Sequence, residues 1–528
     1  MNDTLLQSHK SINSVGLKKS NLLKFCIFAT GFTGIVSEYV LSTVASYLVG
    51  NSVIQWTLII SFMLFAMGVG SRLSRYVHDN LLDAFILTEF LLSFLCAISC
   101  AAAYLSSIFT QYCGLVIYLF AFAIGLFIGF EIPLVTRMNE KYEELKTNIA
   151  SVLEKDYIGS LFGGLFFAFF ALPYLGLTYT PVVLGSINFL LASILLFRFR
   201  SSIVHKKIIY PAFAILLSSL IILSITIKPI ILYGEQKKYK DTIIFTKQTI
   251  YQKIVITKWK NNYWLFINGN EQFSTLDEQL YHEPLVHPAL SLLKERGNVL
   301  ILGGGDGLAL REILKFKDVK NVTLVDIDPQ MTLLGSTNPI LTKANNNSFN
   351  DLRVKVVNID ANIYLSDTDQ IFDLIISDLP DPNTIELSML YSKEFFMLAK
   401  KHLTPYGVFV TQSTSPIYSN KSFLCIIKTM EAAGFGAAGY SNQVPTMGQW
   451  GFTIGMRDNI LSSKGLKARL QTLQFSPSIP TRFINQEAMI SMSNFGKGAF
   501  DMMDKLEVNS RLNPVLYRYY KDGSWDVY

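Results

Sequence analysis

The sequence predicts an N-terminal polytopic α-helical membrane domain, then a small antiparallel β domain leading into a doubly wound α/β domain. Three observations predict it. Half of the 528 residues are hydrophobic and only 16% are charged, against about 25% in soluble proteins, so much of the chain avoids water. That shortfall lies before about residue 230, and the remainder has an ordinary mixture of charges. In the remainder, short strands alternate with helical patterns around one glycine-rich turn, GGGDG, the pattern of a parallel sheet with helical crossovers.

In chain order, residues 1–21 form a basic tail. Residues 22–228 hold apolar stretches near 25–49, 52–70, 86–109, 113–132, 157–176, 178–197 and 208–227. Each approaches the roughly 20 residues a transmembrane helix needs, so about seven helices are expected. Lys10, Lys18, Lys19 and Lys24 in the tail, Arg72 and Arg75, Arg137 to Lys155, and Arg198 to Lys207 alternate with uncharged loops near 50, 110 and 177. That bias puts the N-terminus in the cytoplasm. Seven spans would then carry the soluble half outside, whereas Lys228, Lys237, Lys238 and Lys240 argue for the inside. The expectation adopted is a multi-pass protein of the inner membrane with a cytoplasmic soluble domain and one segment misread or re-entrant.

Gly125 and Gly129, and Gly159 and Gly163, have the spacing that lets helix backbones approach closely. Glu38 lies mid-span on a face with Gly31 and Gly34, where an ionisable residue is either functional or a paired structural group. Glu131, near a charged loop, is read as interfacial. Cys26, Cys96, Cys100 and Cys113 lie in or beside apolar segments and Cys425 in the soluble half, which is neither a disulfide framework nor a zinc pattern. The modest net charge of +6, with its basic residues beside apolar segments, disfavours nucleic-acid binding.

Residues 235–290 carry the alternating runs DTIIFT, QKIVITKW and YWLFING, separated by turn residues, then an amphipathic helix around 277–294. Residues 291–460 supply the strands NVLILG, NVTLVDID, VKVVNID, FDLIISD and GVFVTQ, with a helix near 392–402. Ligands of such sheets bind beyond the carboxyl ends of the strands. Gly303, Gly305 and Asp306 follow the first strand, Asp326 ends the second, Asp360 the third and Asp378 the fourth. Asp326 follows Asp306 by 20 residues, the interval at which an acid reaches a ribose. The turn lacks the GxGxxG order, so an adenosine without a pyrophosphate suits it better than NAD. His282, Glu283 and His287 are spaced one residue too widely for the H-E-x-x-H zinc helix, and no metal is expected. Residues 461–528 form a C-terminal extension with a basic start and an aromatic end.

The segments DEQLYHEPLVHPAL, LILGGGDGLALREILK, VTLVDIDPQM, SDLPDP, LYSKEFFMLAKKHLTPYGVFVTQ and VPTMGQWGF resemble the spermidine synthases, or polyamine aminopropyltransferases. With GFTGIVSEYVLS, IGFEIPL and YIGSLFGGL in the apolar half, the chain resembles their membrane-fused branch. The resemblance implies a Rossmann-like domain of the class I methyltransferase type. It also implies transfer of an aminopropyl group from decarboxylated S-adenosylmethionine, a co-substrate and not a bound cofactor, to an amine such as putrescine. By the same resemblance Asp378 is the catalytic base, Asp381 the second amine-binding acid, and Tyr281 lines the amine site. Asp306 holds the donor's amino end, Asp326 the ribose and Asp360 the adenine side, while Gln252, Gln272 and His282 line the donor pocket. Met447 stands where the family has a tyrosine near the amine, and DLPDPNTI departs from the usual DSTDP segment.

Two rivals stand beside this reading. One is a methyltransferase using S-adenosylmethionine itself, whose terminal carboxylate Asp306 would repel. The other is a polyamine transporter or sensor built around Glu38. The expected partners are a small amine, the lipid bilayer and, as an option, a second copy in a homodimer.

Overall fold

The computed structural model describes residues 2–50, 52–110 and 112–525, with side chains from Lys19 onward; the side chains of Lys10 and Lys18 lie outside that range. The chain divides into two compact units, Met1–Thr242 and Ile243–Tyr528.

The first unit contains α1 (Asn2–Val49), α2 (Ser52–Leu73), α3 (Leu81–Phe109), α4 (Cys113–Asn139), α5 (Leu145–Phe166), α6 (Gly176–Arg198) and α7 (Lys206–Gln236). Among the described residues, six continuous helical runs are long and apolar enough to cross a membrane, and one of them, Leu145–Arg198, is 54 residues long. That run is a hairpin. A nine-residue π-helical stretch, Phe167–Leu175, joins α5 to Gly176, whose φ is 62°. Past it the chain turns back: Gly163 of α5 packs on Phe32 of α1, and Asn188 of α6 meets Thr33 one residue along.

Contact register gives every helix a direction. Ser37 meets Cys96 and Tyr47 meets Tyr104, so α1 and α3 run the same way. Phe28 and Phe32 meet Gly159 and Gly163, which adds α5, and Phe90 and Tyr104 meet Phe213 and Gly234, which adds α7. Gly34 against Ile128 and Val49 against Gly114 set α4 opposite to α1. Met63 and Met67 against Gly125 and Gly129 make α2 parallel to α4. Phe90 on Phe189 and Ala97 on Gly185 set α6 opposite to α3. Seven helical segments therefore alternate in direction among the described residues.

The small residues act where close approach demands them. A β-carbon at Gly159 would lie 1.9 Å from Phe28 O, and one at Gly129 would lie 2.0 Å from Met67 O; only a backbone without side chains fits there. The acidic interior differs from expectation. Glu131 is not interfacial but fully buried, accepting a hydrogen bond from Thr30 Oγ1 at 2.7 Å, and Glu89 is equally buried. Glu38 is half-buried. Arg137, which opens the charged loop that suggested an interface, follows later on the same helix, whereas Glu131 is on its buried face.

The second unit opens with a four-stranded sheet, β1 (Thr242–Gln248), β2 (Lys253–Trp259), β3 (Asn262–Ile267) and β4 (Asn270–Ser274), in that order. Helix α8 (Gln279–Leu292) leads to β5 (Asn298–Gly303), α9 (Leu308–Leu314), β6 (Asn321–Val325), β7 (Val354–Val357), β8 (Phe372–Asp378), β9 (Leu403–Gln412), β10 (Phe435–Val444) and β11 (Gly448–Arg457). The seven-stranded order is β10-β11-β9-β8-β5-β6-β7. Strands β5 to β9 are parallel, as their apolar runs predict, while β10 and β11 form an antiparallel hairpin on the β9 edge. The sequence hides that hairpin behind Gly439, Gly451 and Gly455. Their missing β-carbons make room for Phe423, Ile427 and Met430 of the helix Asn420–Ala432 above.

The C-terminal extension is part of this core. Leu466, Leu470, Ile484, Met489 and Met492 join one apolar cluster, and Leu506, Val515 and Leu516 the other. Glu283, buried on α8, accepts the backbone N–H groups of Arg482, Phe483 and Ile484 at 2.7–2.9 Å and so pins the extension in place.

Candidate active site

The first crossover places the glycine turn against the end of β8. Gly303 pairs with Asp378 in the β5–β8 register. Its φ is +83°, and a β-carbon there would lie 2.1 Å from Asp378 O. Gly304 N–H then donates to the same carbonyl at 3.2 Å. Any side chain at Gly303 would both strain the backbone and displace Asp378.

Asp378 ends β8 with its side chain half-buried. Tyr281 on α8, itself buried, donates its hydroxyl to Asp378 Oδ1 at 2.7 Å. The tyrosine ring is held edge-on by Phe452 of β11, with centroids 5.3 Å apart. Burial pushes the Asp378 carboxyl up to about 6, offset by the charge of His282 and the Tyr281 hydrogen bond and reinforced by Asp306. Three residues on, Asp381 receives Gln412 Nε2 at 3.0 Å on Oδ1 and Tyr520 Oη at 2.9 Å on Oδ2. Burial likewise lifts it to about 6 against the pull of those two donors. Two carboxyls in one loop are thus held near neutrality, a condition typical of reactive sites.

Behind them stands a buried ion network. Glu278 takes both arms of Arg311 from α9, at 2.9 and 2.8 Å, and lies 3.2 Å from His282 Nδ1. Burial would raise Glu278, but His282 and Arg311 outweigh it and hold the carboxyl down at about 2. For His282 burial pulls the other way; the Glu278 hydrogen bond and charge, with Asp306 and Asp378, push it up to about 8. The pairing with Glu278 thus favours the protonated form of His282. His287 goes elsewhere, to Glu312 at 2.6 Å, and Glu283 to the extension, so the three α8 residues serve three separate partners.

The remaining strand ends converge in part. Asp306 is 9% exposed and accepts Leu308 N–H at 2.8 Å. Asp326 accepts Gly305 N–H at 3.1 Å and Asp328 N–H at 2.8 Å. Burial, with the neighbouring Asp328 and Asp306, raises Asp326 to about 6. A β-carbon at Gly305 would lie 2.5 Å from Asp326 Oδ2, so the turn must be bare there. Gln252 donates to Asp328 Oδ2 at 2.9 Å, which ties the small sheet to the end of β6. Asp360 at the end of β7 caps its own helix, accepting from Asn362 and Ile363 N–H. Gln272 bonds the carbonyls of Asn270 and Glu271 on its own strand. Among the described residues, neither of these last two makes a hydrogen bond to another of the expected site residues. Trp450 and Phe452 pack in the core, as does Met447.

Sequence reasoning missed Gln412, Tyr520, Asp328, the Glu278–Arg311 pair and Tyr391, whose hydroxyl donates to Leu379 O and Pro380 O in the β8 loop at 3.1 and 3.0 Å and accepts Gln412 Nε2 at 2.7 Å. Of these only Asp328 carried a local signal, since it sits in the DIDP run it shares with Asp326.

Comparison with known proteins yields a consistent set of similarities. Residues 278–463 match the family described as spermine/spermidine synthase domain. Polyamine aminopropyltransferase 2 of Aquifex aeolicus (strain VF5) is 42% identical over 95% of this chain and 99% of its own length. The polyamine aminopropyltransferase of Leptospira interrogans is 38% identical over 93% of this chain and 96% of its own length. Among solved structures, the spermidine synthase of Thermotoga maritima aligns at a TM-score of 0.43 and 22% identity, covering 50% of this chain and 87% of that one.

Proposed function

Because the chain belongs to the polyamine aminopropyltransferase family, we propose that it moves the aminopropyl group of decarboxylated S-adenosylmethionine to an amine such as putrescine. It is a transferase of polyamine biosynthesis. The observation that carries the finer reading is the carboxylate pair of the β8 loop, Asp378 bonded to Tyr281 and Asp381 bonded to Gln412 and Tyr520.

A primary amine, with a pKa near that of lysine at about 10, is almost wholly protonated at pH 7. Asp378 takes one proton and frees the lone pair, with Tyr281 fixing which carboxylate oxygen faces the amine. The nitrogen attacks the methylene beside the sulfonium. The C–N bond forms as the C–S bond breaks, and the bonding pair stays on sulfur as the neutral thioether of methylthioadenosine. Asp381 holds the amine's far, still-protonated end. Orientation of the two reactants supplies much of the acceleration.

On the donor side Asp326 receives the ribose hydroxyls, Gly303 and Gly305 let the nucleoside approach the backbone, and Asp306 receives the terminal ammonium. A carboxylate at Asp306 supports the decarboxylated donor, because S-adenosylmethionine would bring its own carboxylate there. Gln252 and His282 flank this pocket. The contacts of Asp360 and Gln272 lend no support to a donor role. No resident cofactor has a part in this scheme. Offering detergent-purified protein each donor with a panel of amines, and identifying the nucleoside by mass spectrometry, tests the reading. Methylthioadenosine with an aminopropylated amine is the expected result; S-adenosylhomocysteine would overturn it.

The pH dependence follows from the two raised carboxyls. Both must be ionised, so kcat/KM for the amine falls as pH drops through about 6. Below that value the fall steepens toward roughly a hundredfold per pH unit, because two protons are gained. A rate profile flat between pH 5 and 8 would remove both carboxylates from the mechanism.

The helical unit resides in the bilayer on this reading, and the catalytic unit faces the cytosol, where nucleoside sulfonium donors are made. Association as a homodimer is part of the same reading, and light scattering in detergent checks it.

A further inference from the structure

The last described helix, Val515–Lys521, buries Val515 and Leu516 in the core of the second unit and thereby aims Tyr520 at the β8 loop. Trp525 backs it. The indole lies 4.7 Å from the Tyr520 ring, and its N–H donates to Tyr520 O at 2.8 Å. Ser524 N–H donates to Tyr418 O at 2.7 Å, which fastens this segment to the loop after β9. That same loop contains Thr414, a non-glycine residue at φ +55°, whose N–H donates to Gln412 Oε1 at 2.8 Å. Strain of this kind persists only where its surroundings enforce it. Gln412 then donates to the other oxygen of Asp381. Both oxygens of one half-buried carboxylate are therefore set by a single connected arrangement, half of it built by residues beyond the matched family region 278–463.

We propose that Tyr520 is a positioning residue for the amine acceptor: it aims Asp381 at the far ammonium group and, with Trp525 behind it, makes the C-terminal segment the wall that selects the diamine. The inference rests on the aminopropyl-transfer reading and extends it to the choice of acceptor. Each Asp381 oxygen keeps a second lone pair for the ammonium after accepting its protein hydrogen bond. A terminal ammonium needs that geometry; a shorter or longer diamine would miss either Asp378 or Asp381. Met447, apolar and buried in the core, brings no hydroxyl where the family resemblance expects a tyrosine. Tyr520 brings one from another part of the chain.

The test uses the full-length protein in detergent with saturating donor and varied putrescine, cadaverine and 1,3-diaminopropane. Y520F should raise the amine KM about tenfold, the size of one lost hydrogen bond to a charged group, with kcat and donor KM little changed. The phenylalanine variant should also lose amine binding at a higher pH than wild type. Asp381 is faced by Tyr520 and Gln412 in contact and by Tyr391 and Tyr281 at longer range, and removing a donor hydroxyl favours its protonated form. W525A, changing a residue that does not touch Asp381, should flatten the preference among the three diamines. Unchanged amine KM and unchanged pH profile in Y520F would overturn the inference while leaving the transferase reading intact. Equal rises in donor and amine KM with a lowered melting point would overturn it too, by reducing Tyr520 to a structural part. Wild-type protein that aminopropylates no amine would sink the transferase reading itself.

Discussion

Replacing Asp378 by Asn is expected to leave a folded protein whose turnover falls by about 10²–10⁴, the usual contribution of a general base. The amide keeps the shape of the carboxylate and can still accept the Tyr281 hydroxyl, which at present sits 2.7 Å from Oδ1. It cannot take a proton. The variant must then wait for the small fraction of amine that is already neutral. Its rate should accordingly climb about tenfold per pH unit toward the amine's own pKa near 10, while the wild-type rate levels off above 7. Single-turnover measurements with both substrates saturating check this. A loss below tenfold at pH 7, or parallel pH profiles for the two proteins, would assign the proton to another group.

Arg311→Met is expected to cost about 3–5 kcal/mol of stability, the range for stripping one partner from a buried ion pair. Glu278 is 6% exposed and receives both guanidinium arms. Without them its carboxylate keeps only His282. For a unit of this size the midpoint of thermal unfolding should fall by roughly 10 °C, read by intrinsic fluorescence in detergent. The sign with pH is fixed as well. Glu278 is depressed from 4.5 to about 2, so its contribution is complete above the ordinary carboxylate range and fades as pH falls toward 2. His282 is raised from 6.5 to about 8, so its contribution is complete below 6.5 and is lost as pH rises through 8. The variant keeps His282, whose charge still answers Glu278 until it deprotonates, so wild type and variant should differ least as pH falls toward 2 and most at and above pH 8. A variant melting within 2 °C of wild type there would show that the pair merely decorates the fold.

Much of the architecture was legible because it is periodic. Seven apolar runs, three alternating β segments and five parallel strands each repeat a local pattern over enough residues to stand out. The placing of Asp306, Asp326 and Asp378 at neighbouring strand ends was legible for a related reason, since the topology of parallel sheets brings strand ends together; Asp360, expected there by the same rule, caps its own helix. What escaped notice is what depends on long separations. Tyr520 meets Asp381 across 139 residues and Arg311 meets Glu278 across 33, and no period announces either pair. Glu131 was misread because nearness to a charged loop in sequence is not nearness to water when the side chain lies on the face packed against α1. The β10–β11 hairpin was missed because its glycines, poor strand formers in isolation, answer to the helix packed above them.

The hairpin at Gly176 carries a consequence for biogenesis. With seven alternating segments in a bilayer, parity forces the basic N-terminal tail and residue 237 to opposite faces. A catalytic unit supplied from the cytosol thus requires the tail with Lys19 to be translocated, against the usual retention of positive charge. Such an insertion would be driven by the hydrophobicity of the later helices and by the bulk of the folded unit that follows. One pair of fusions reads the outcome at both ends: a fluorescent protein at the C-terminus should glow, and alkaline phosphatase at the N-terminus should be active. The reverse pair would put the chemistry outside the cell and demand an exported donor.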